Sequence, residues 1–332
     1  MLPRLNISFP LQCQFQYCFG KQYEPVEGEY LVNHARTGIV MALRASLPSG
    51  GRVGVVVYNC HTVANAVVNA GCVPVFVDVC PDLRIDVDSV PRDLDAIVVT
   101  NLFGIRNDIE AIQKHCPDAI IIVDNAHGYG LPAEGDFTVY SINQGKFPAL
   151  GEGGILKVAP FISNCKLQIE DLYASLSGYG LVAQLKLYCS MLIKAIAYSR
   201  CVYWLTMRMK KTSNPQVHQQ VVMRQMAPGV RRLYKAWLPT AEQDIERQKE
   251  NAAKIADMGY ETIKSENGFM AIIRTNDVTA AKADFAKRDI ETETHFARCI
   301  DWAMEFGYVP GSCSMAEKLT KELLMIPTYK KI

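Results

Sequence analysis

Residues 119–158 read AIIIVDNAHGYGLPAEGDFTVYSINQGKFPALGEGGILKV, and this stretch decides the fold. It holds three short apolar runs: AIIIVDN (119–125), FTVYSI (137–142) and GGILKV (153–158). Each is apolar on consecutive positions, the pattern of strands covered on both faces. Further toward the N-terminus lie VGVVVY (53–58), VPVFVDV (73–79) and AIVVT (96–100), with helix-like pieces TGIVMALRAS (37–46), TVANAVVNAG (62–71) and DIEAIQKHC (108–116) among them. Strands alternating with amphipathic helices predict an α/β fold built on a mainly parallel sheet.

Beyond residue 160 the pattern changes. Residues 165–211 read as helical, with Tyr, Leu and Met on several faces, and TSNPQ (212–216) reads as a linker. A polar-faced helix is expected over 238–257. GFMAIIRT (268–275) follows as a strand, AAKADFAKR (280–288) as a helix, IETETHF (290–296) as a second strand and AEKLTKELLM (316–325) as a last helix. The expected division is a large α/β domain, 1–237, and a small C-terminal α+β domain, 238–332.

The 332 residues are 49% apolar and 21% charged, with 35 Lys and Arg against 34 Asp and Glu. That composition excludes disordered and collagen-like chains, and the net charge of +1 gives no electrostatic case for nucleic acid. The eleven cysteines form no CxxC pair and read as buried thiols of a reducing, cytoplasmic compartment, with no metal site. The N-terminal segment, broken by Pro3 and Pro10, does not read as a signal peptide. The apolar stretch 172–207 is interrupted by Lys186, Lys194 and Arg200, so no membrane span is expected.

Open α/β sheets bind ligands beyond the carboxyl ends of their strands. Asp124 follows the run AIIIV; a carboxylate there is partly desolvated and needs a partner, though caps and turns also favour Asp. Lys146 lies in a Gly- and Pro-rich loop just after Ser141. Arg36-Thr37-Gly38 opens a helix whose free N–H groups can hold an anion, although Thr is also a common cap. An amine, a carboxylate and a phosphate cup together describe what pyridoxal phosphate (PLP) requires.

The same residues resemble the DegT/DnrJ/StrS family of PLP-dependent sugar aminotransferases, of fold type I. HARTGIVMAL (34–43) is similar to the family's SGTAALxLAL, ANAVVNAGCVPVFVDV (64–79) to ANAVxxAGAxPVFVDV, and VDNAHGYG (123–130) to EDAAQAxG. TNLFGIRNDIEAI (100–112), GDFTVYSINQGKFPALGEGGIL (135–156) and AEKLTKELLMIP (316–327) resemble further family segments in the same order. The resemblance implies a seven-stranded-type sheet in the large domain, and PLP held as a Schiff base on Lys146. It implies Asp124 at the pyridine nitrogen and His127 in place of a Gln near the ring hydroxyl. Ser141, Arg36 and Thr37 would lie at the phosphate, and Asn143 where the family has His. The ring-stacking aromatic aligns with Cys60; its neighbour His61 is read as the stacker.

The family's motif that reaches the neighbouring subunit is poorly kept around MRQM (223–226), where Arg224 is the candidate. The resemblance thus implies a homodimeric transaminase that moves an amino group from an amino acid donor, usually glutamate, to a keto-sugar, nucleotide-linked, for polysaccharide or amino-sugar synthesis. Two other readings stand beside it. One is a PLP-fold enzyme with a different acceptor, or a lyase. The other is a non-catalytic PLP-fold protein whose stretch 172–207 docks on a membrane surface or partner; packing within the protein is the blander reading of that stretch.

Overall fold

A computed structural model describes residues 9, 11–162, 165–199, 202–203 and 216–329. Its centre is a seven-stranded sheet in the order β1-β7-β6-β5-β4-β2-β3. The strands are β1 (Glu29–Val32), β2 (Arg52–Val56), β3 (Val73–Val77), β4 (Ala96–Thr100), β5 (Ile120–Asn125), β6 (Phe137–Ser141) and β7 (Gly154–Val158). From β3 to β6 the neighbours are parallel, while β7 runs antiparallel to both β6 and β1. This is the mainly parallel sheet expected of fold type I.

Each central strand is apolar throughout because both its faces are covered. Ile97, Val99, Ile121 and Val123 enter one core, with the helix α4 (Ile109–His115) and the C-terminal unit. Ala96, Val98 and Ile122 enter the other, under α2 (Ala35–Ser46), α3 (His61–Asn69) and α5 (Lys166–Ser175). The alternation is the two-residue period of a strand. Fully burying one such side chain stabilises by about 1.5–3 kcal/mol.

Chain order places β3 and β4 on opposite sides of β2. The connections after β2 and β4 therefore leave toward opposite faces of the sheet, through α3 and α4, and such a switch point is where open sheets take ligands.

The C-terminal unit is a three-stranded antiparallel sheet, β10-β9-β8, formed by β8 (Glu261–Ile263), β9 (Met270–Arg274) and β10 (Leu323–Pro327). Met270, Ile272, Leu323 and Met325 join the same core as Ile97 and Val99 of the large sheet, so the two sheets share apolar packing. Two expectations are corrected here. The last helix ends at Glu322, and Leu323–Pro327 is a strand, because LLMIP is apolar on every position and pairs along all of β9. Residues 290–296 form no strand. Their pairing is limited to isolated bridges at Ile290 and at Glu293, the latter with Met325, before Phe296 (φ 60) turns the chain inward.

Helices α1 (Leu11–Phe19) and α6 (Leu181–Ala197) join a third apolar cluster with Met226, Val230 and Leu233, apart from α5, which lies on α2. The described part of the expected helical segment 165–211 is thus α5 and α6, separated by a break at 176–180. Residues 200–201 and 204–211, and the linker residues 212–215, lie outside the described residues. Among the described residues no helix is long and apolar enough to cross a membrane.

Candidate active site

The strands β2, β4, β5 and β6 deliver Asn59, Thr100, Asp124 and Ser141 to one edge of the sheet. Asp124, 3% exposed, ends the apolar run of β5, where parallel pairing sets it beside Thr100 of β4. Its Oδ1 accepts from the Ala126 N–H at 2.9 Å. The Thr100 hydroxyl also serves the carboxylate, and Asn59 Nδ2 donates to that hydroxyl at 2.9 Å. Burial pushes the Asp124 carboxyl above its ordinary value; the Ala126 N–H, Lys146 when it holds its proton, and Thr100 pull it back only in part. The carboxylate is oriented by neutral donors, so a cation placed against it would be strongly favoured.

His127 lies one turn beyond, 4% exposed. Its ring is stacked against Phe103 (centroids 5.2 Å, 20°) and Phe269 (4.8 Å, 20°). Its Nδ1 accepts from the Phe103 N–H at 3.2 Å, and its Nε2 sits 2.6 Å from Lys146 Nζ. A backbone N–H can only donate, so Nδ1 carries no proton and, in the neutral ring, Nε2 does. The Nε2–H must then donate into a lone pair on Nζ, which requires an unprotonated amine. Burial lowers the affinity of Lys146 for its proton, against the opposing pull of Cys60, Asp124 and Glu293. Burial and the neighbouring Lys146 and His295 likewise hold His127 neutral. The geometry thus presents a free-base amine, the nucleophilic form of lysine.

The loop that carries Lys146 is tied down by its own backbone. Ile142 N–H donates to Gly153 O at 2.9 Å, Gln144 N–H to Gly151 O at 2.9 Å, and Lys146 N–H to Asn143 O at 3.0 Å. Asn143 Oδ1 accepts from the Gly153 N–H at 2.8 Å, which makes Asn143 a brace within the loop.

The third component is the start of α2. Gly154 of β7 is paired with Ser141 and lies flush on the His34–Ala35 peptide: a Cβ at Gly154 would sit 2.3 Å from the His34 carbonyl carbon. Gly38 likewise faces Val139 and Leu156, where a Cβ would come within 2.9 Å. These two glycines let the helix N-terminus approach Ser141. His34, at the N-cap, supplies no side-chain cap, and its Nδ1 is buried without a hydrogen bond. Thr37 is fully buried and turns its hydroxyl back to Asn33 Oδ1 at 2.8 Å. The half-buried Arg36 guanidinium makes no hydrogen bond or ion pair among the described residues; burial lowers its pKa, with Cys60 and Glu152 near enough to oppose the shift. Open N–H groups, a serine hydroxyl and an unpaired guanidinium make an anion cup.

His61 begins α3, and its ring meets the edge of Trp302 at 5.0 Å and 66°. Cys60, just before it, caps that helix. Its Sγ accepts from the Thr62 hydroxyl at 3.1 Å. Burial works to raise the Cys60 thiol, but hydrogen bonds from His61 and Thr62, with Lys146 when it holds its proton, outweigh it, bringing the pKa down to about 7 from 9.0. Alkylation of Cys60 by iodoacetamide in the apoprotein is therefore expected to rise with pH through a midpoint near 7, followed by peptide mass spectrometry. A midpoint near the ordinary thiol value would contradict this environment.

The sequence did not mark several groups at this site. Asn267, ahead of β9, donates to His127 O at 2.8 Å and Tyr129 O at 3.1 Å, and so clamps the loop after β5. His295 and Phe296 approach His127 at 5.7 and 5.9 Å between ring centroids. The C-terminal unit therefore closes one side of the site. TNLFG (100–104) already contained Thr100 and Phe103, but no local pattern distinguishes their roles. Arg224 lies on the other side, its guanidinium over the Tyr179 ring at 5.2 Å and its N–H donating to Asn33 Oδ1 at 3.2 Å. A cavity of about 680 Å³ between Glu27, Glu110, Glu134 and Phe161 lies at the opposite, amino end of the parallel strands.

Comparison with known proteins agrees with this geometry. Residues 24–160 match the sequence profile of the DegT/DnrJ/EryC1/StrS aminotransferase family. Among solved structures, Spr1654 from Streptococcus pneumoniae in its PMP form superposes with a TM-score of 0.74 at 14% identity, covering 99% of this chain and 94% of that one. PseC from Helicobacter pylori, an aminotransferase of pseudoaminic acid biosynthesis, gives 0.71 at 14% identity, covering 98% and 93%. The sugar aminotransferase CalS13 from Micromonospora echinospora gives 0.68 at 15%, covering 100% and 96%. At such identities the likeness of structure speaks for the fold, while the profile match speaks for the segment that builds the site. Residues 24–160 are thus similar in sequence to the DegT/DnrJ/EryC1/StrS aminotransferase family, and the fold shared with these solved structures extends through the chain.

Proposed function

We propose that the protein is a PLP-dependent aminotransferase acting on a keto-sugar. The observation that carries this reading is the contact of Lys146 Nζ with His127 Nε2 at 2.6 Å, beside the buried Asp124 carboxylate. The donor set fits the cofactor. Lys146 offers a free-base amine for its aldehyde, and Asp124 offers a carboxylate lacking a hydrogen-bonded cation for its ring nitrogen. Arg36, Ser141 and the first turn of α2 offer an anion cup for its phosphate. Pyridoxal phosphate, when bound, supplies an aldehyde that takes up an amino group and a protonated ring that accepts the electron pair left by a departing proton.

The protein's own residues do the rest. Lys146 Nζ would act as the acid–base group, taking the proton from the donor's α-carbon and holding it for return. The His127 Nε2–H holds Nζ in place and keeps its lone pair directed into the site. Asp124 holds the proton on the ring nitrogen, with Thr100 and the Ala126 N–H fixing its orientation. Phe103, Phe269 and Phe296 exclude water from the His127 side. Glutamate is the proposed donor and a nucleotide-linked keto-sugar the proposed acceptor, in polysaccharide or amino-sugar synthesis. CalS13 is a sugar aminotransferase and PseC an aminotransferase of pseudoaminic acid biosynthesis, which supports the acceptor class. The acting form is proposed to be a cytoplasmic homodimer, with a division between large and small domains near 237–238.

The test is a half-reaction. The PLP-loaded protein mixed with glutamate is expected to release 2-oxoglutarate in one equivalent and to return to its starting absorbance on addition of keto-sugar. A PLP-loaded protein that transfers no amino group from any amino acid would overturn the assignment. Arg36→Ala should weaken PLP affinity by roughly 10- to 100-fold, the effect of losing a charge-assisted hydrogen bond. An unchanged Kd in absorbance titration would remove Arg36 from the anion cup.

A further inference from the structure

The segment 290–296 closes the His127 side of the site, and it carries an acid there. Glu293 is pinned by its backbone, which exchanges hydrogen bonds with Met325 of β10 at 3.0 and 2.8 Å. Two residues on, the His295 carbonyl accepts from the Tyr58 hydroxyl at 3.0 Å, just past the end of β2. Their side chains are neighbours: Glu293 Oε2 lies 3.3 Å from His295 Nδ1, and both side chains are mostly buried. The His295 ring in turn stands 5.7 Å from the His127 ring and 5.5 Å from that of Phe103. The Glu293 charge is felt at Lys146, together with those of Cys60 and Asp124.

Among the described residues the amine is thus faced by His127 and Asp124 from β5 and the loop after it, by Cys60 from the cap of α3, and by Glu293 from the C-terminal unit. The free-base amine accepts from the His127 Nε2–H. Once Nζ gains a proton it has no lone pair, and two donors face each other across 2.6 Å. His127 does not yield, because its ring is stacked against Phe103 and Phe269 and its Nδ1 is held by the Phe103 N–H. The lysine yields instead, turning its flexible stem toward an anion. Asp124 is engaged by the Ala126 N–H and the Thr100 hydroxyl, and in the proposed chemistry by the cofactor's ring nitrogen. Cys60 is charged only above a pKa of about 7, and its sulfur takes the Thr62 hydroxyl. Glu293 is the remaining carboxylate.

We propose that Glu293 is a positioning residue that receives the Lys146 ammonium whenever Nζ takes up the substrate proton, and that the amine returns to His127 when the proton leaves. The inference rests on the reading of Lys146 as the acid–base group of an amino transfer. The proton comes from the donor's α-carbon, stays on Nζ while Nζ faces Glu293, and departs from Nζ, so the carboxylate itself is never protonated. His295 keeps the carboxylate turned to this side of the C-terminal unit. The lysine then has one neighbour for each of its states: a neutral donor for the free base and an anion for the ammonium.

The first measurement needs no cofactor. Competitive acetylation of the apoprotein by acetic anhydride across pH, read at the Lys146 peptide by mass spectrometry, gives the midpoint at which this amine loses its proton. Glu293→Gln removes a charge that favours the ammonium, so the midpoint should fall by about one pH unit, a tenfold change in the dissociation constant. Glu293→Asp keeps the charge and should restore most of the difference. The bonds to Met325 are made by the backbone, so both variants are expected to keep the wild-type circular dichroism. The second measurement is the single-turnover rate of the PLP-loaded protein with glutamate. Glu293→Gln should lower it about tenfold with the donor Kd unchanged, and Glu293→Asp should recover most of it. An unchanged acetylation midpoint in Glu293→Gln would overturn the proposal. So would a lower midpoint with an unchanged single-turnover rate, since Glu293 would then set only the resting charge of the amine. Failure of the proposed function itself reads differently: the wild type would transfer no amino group either, while the acetylation midpoints would still show whether Glu293 faces the ammonium.

Discussion

Lys146→Ala is expected to lower kcat by about 10³-fold or more and to abolish the long-wavelength absorbance that develops when PLP is added. General acid–base catalysis alone is worth about 10²–10⁴-fold, and this amine is also the nucleophile. The expectation rests on one feature of the geometry. With Nδ1 of His127 occupied by the Phe103 N–H, the His127 Nε2 proton can only point into the lysine's lone pair. Alanine leaves that proton without an acceptor and the aldehyde without an amine. A variant that keeps both the absorbance and turnover, measured beside a circular dichroism spectrum matching wild type, would place the chemistry at a different residue.

The second large effect is expected of Asp124→Asn. The amide keeps the volume of the side chain and its acceptor for the Ala126 N–H, but removes the charge. A unit charge about 4 Å away in a partly buried site is worth about 4 kcal/mol, so activity should fall roughly a thousandfold while PLP still binds. Stability should move in the other direction. The Asp124 carboxyl is raised above its ordinary 3.8 by burial, so in the apoprotein its ionisation opposes folding. That cost is absent below pH 3.8, where the unfolded carboxyl is also protonated, and grows as pH rises above it. At neutral pH the apo variant should therefore match or exceed the wild-type Tm, and the gap should close on acidification. Loss of activity together with a lower Tm at neutral pH would make Asp124 a structural residue instead.

The fold was legible where burial is two-sided. AIVVT (96–100) coincides with β4, and the other apolar runs fall within one or two residues of their strands, because a strand covered on both faces writes an unbroken apolar run. The sequence misleads where one run serves two elements: AEKLTKE continues without a breaker into LLMIP, and only pairing with β9 separates helix from strand. β1, four residues of sheet edge, offers too short a pattern to be seen.

Within the site, the residues at strand ends were visible because local sequence places them there. Lys146, Asp124 and His127 lie together, and Arg36 and Ser141 gather at the start of α2. At that helix start the Thr37 hydroxyl bonds Asn33, and the His61 ring meets the edge of Trp302. The groups that complete the site, Asn267, His295 and Phe296, come from the C-terminal unit. Only tertiary packing brings them to His127, and no periodicity encodes a contact of that kind. The charge state of Cys60 depends on His61, Thr62 and Lys146 together, and no local pattern encodes it.

The account is tested most directly by loading the protein with PLP, reducing with borohydride and mapping the modified peptide by mass spectrometry. A single pyridoxyl group on the peptide that contains Lys146 is the predicted result. No modification, or modification of another lysine such as Lys157 with Lys146 untouched, would contradict it.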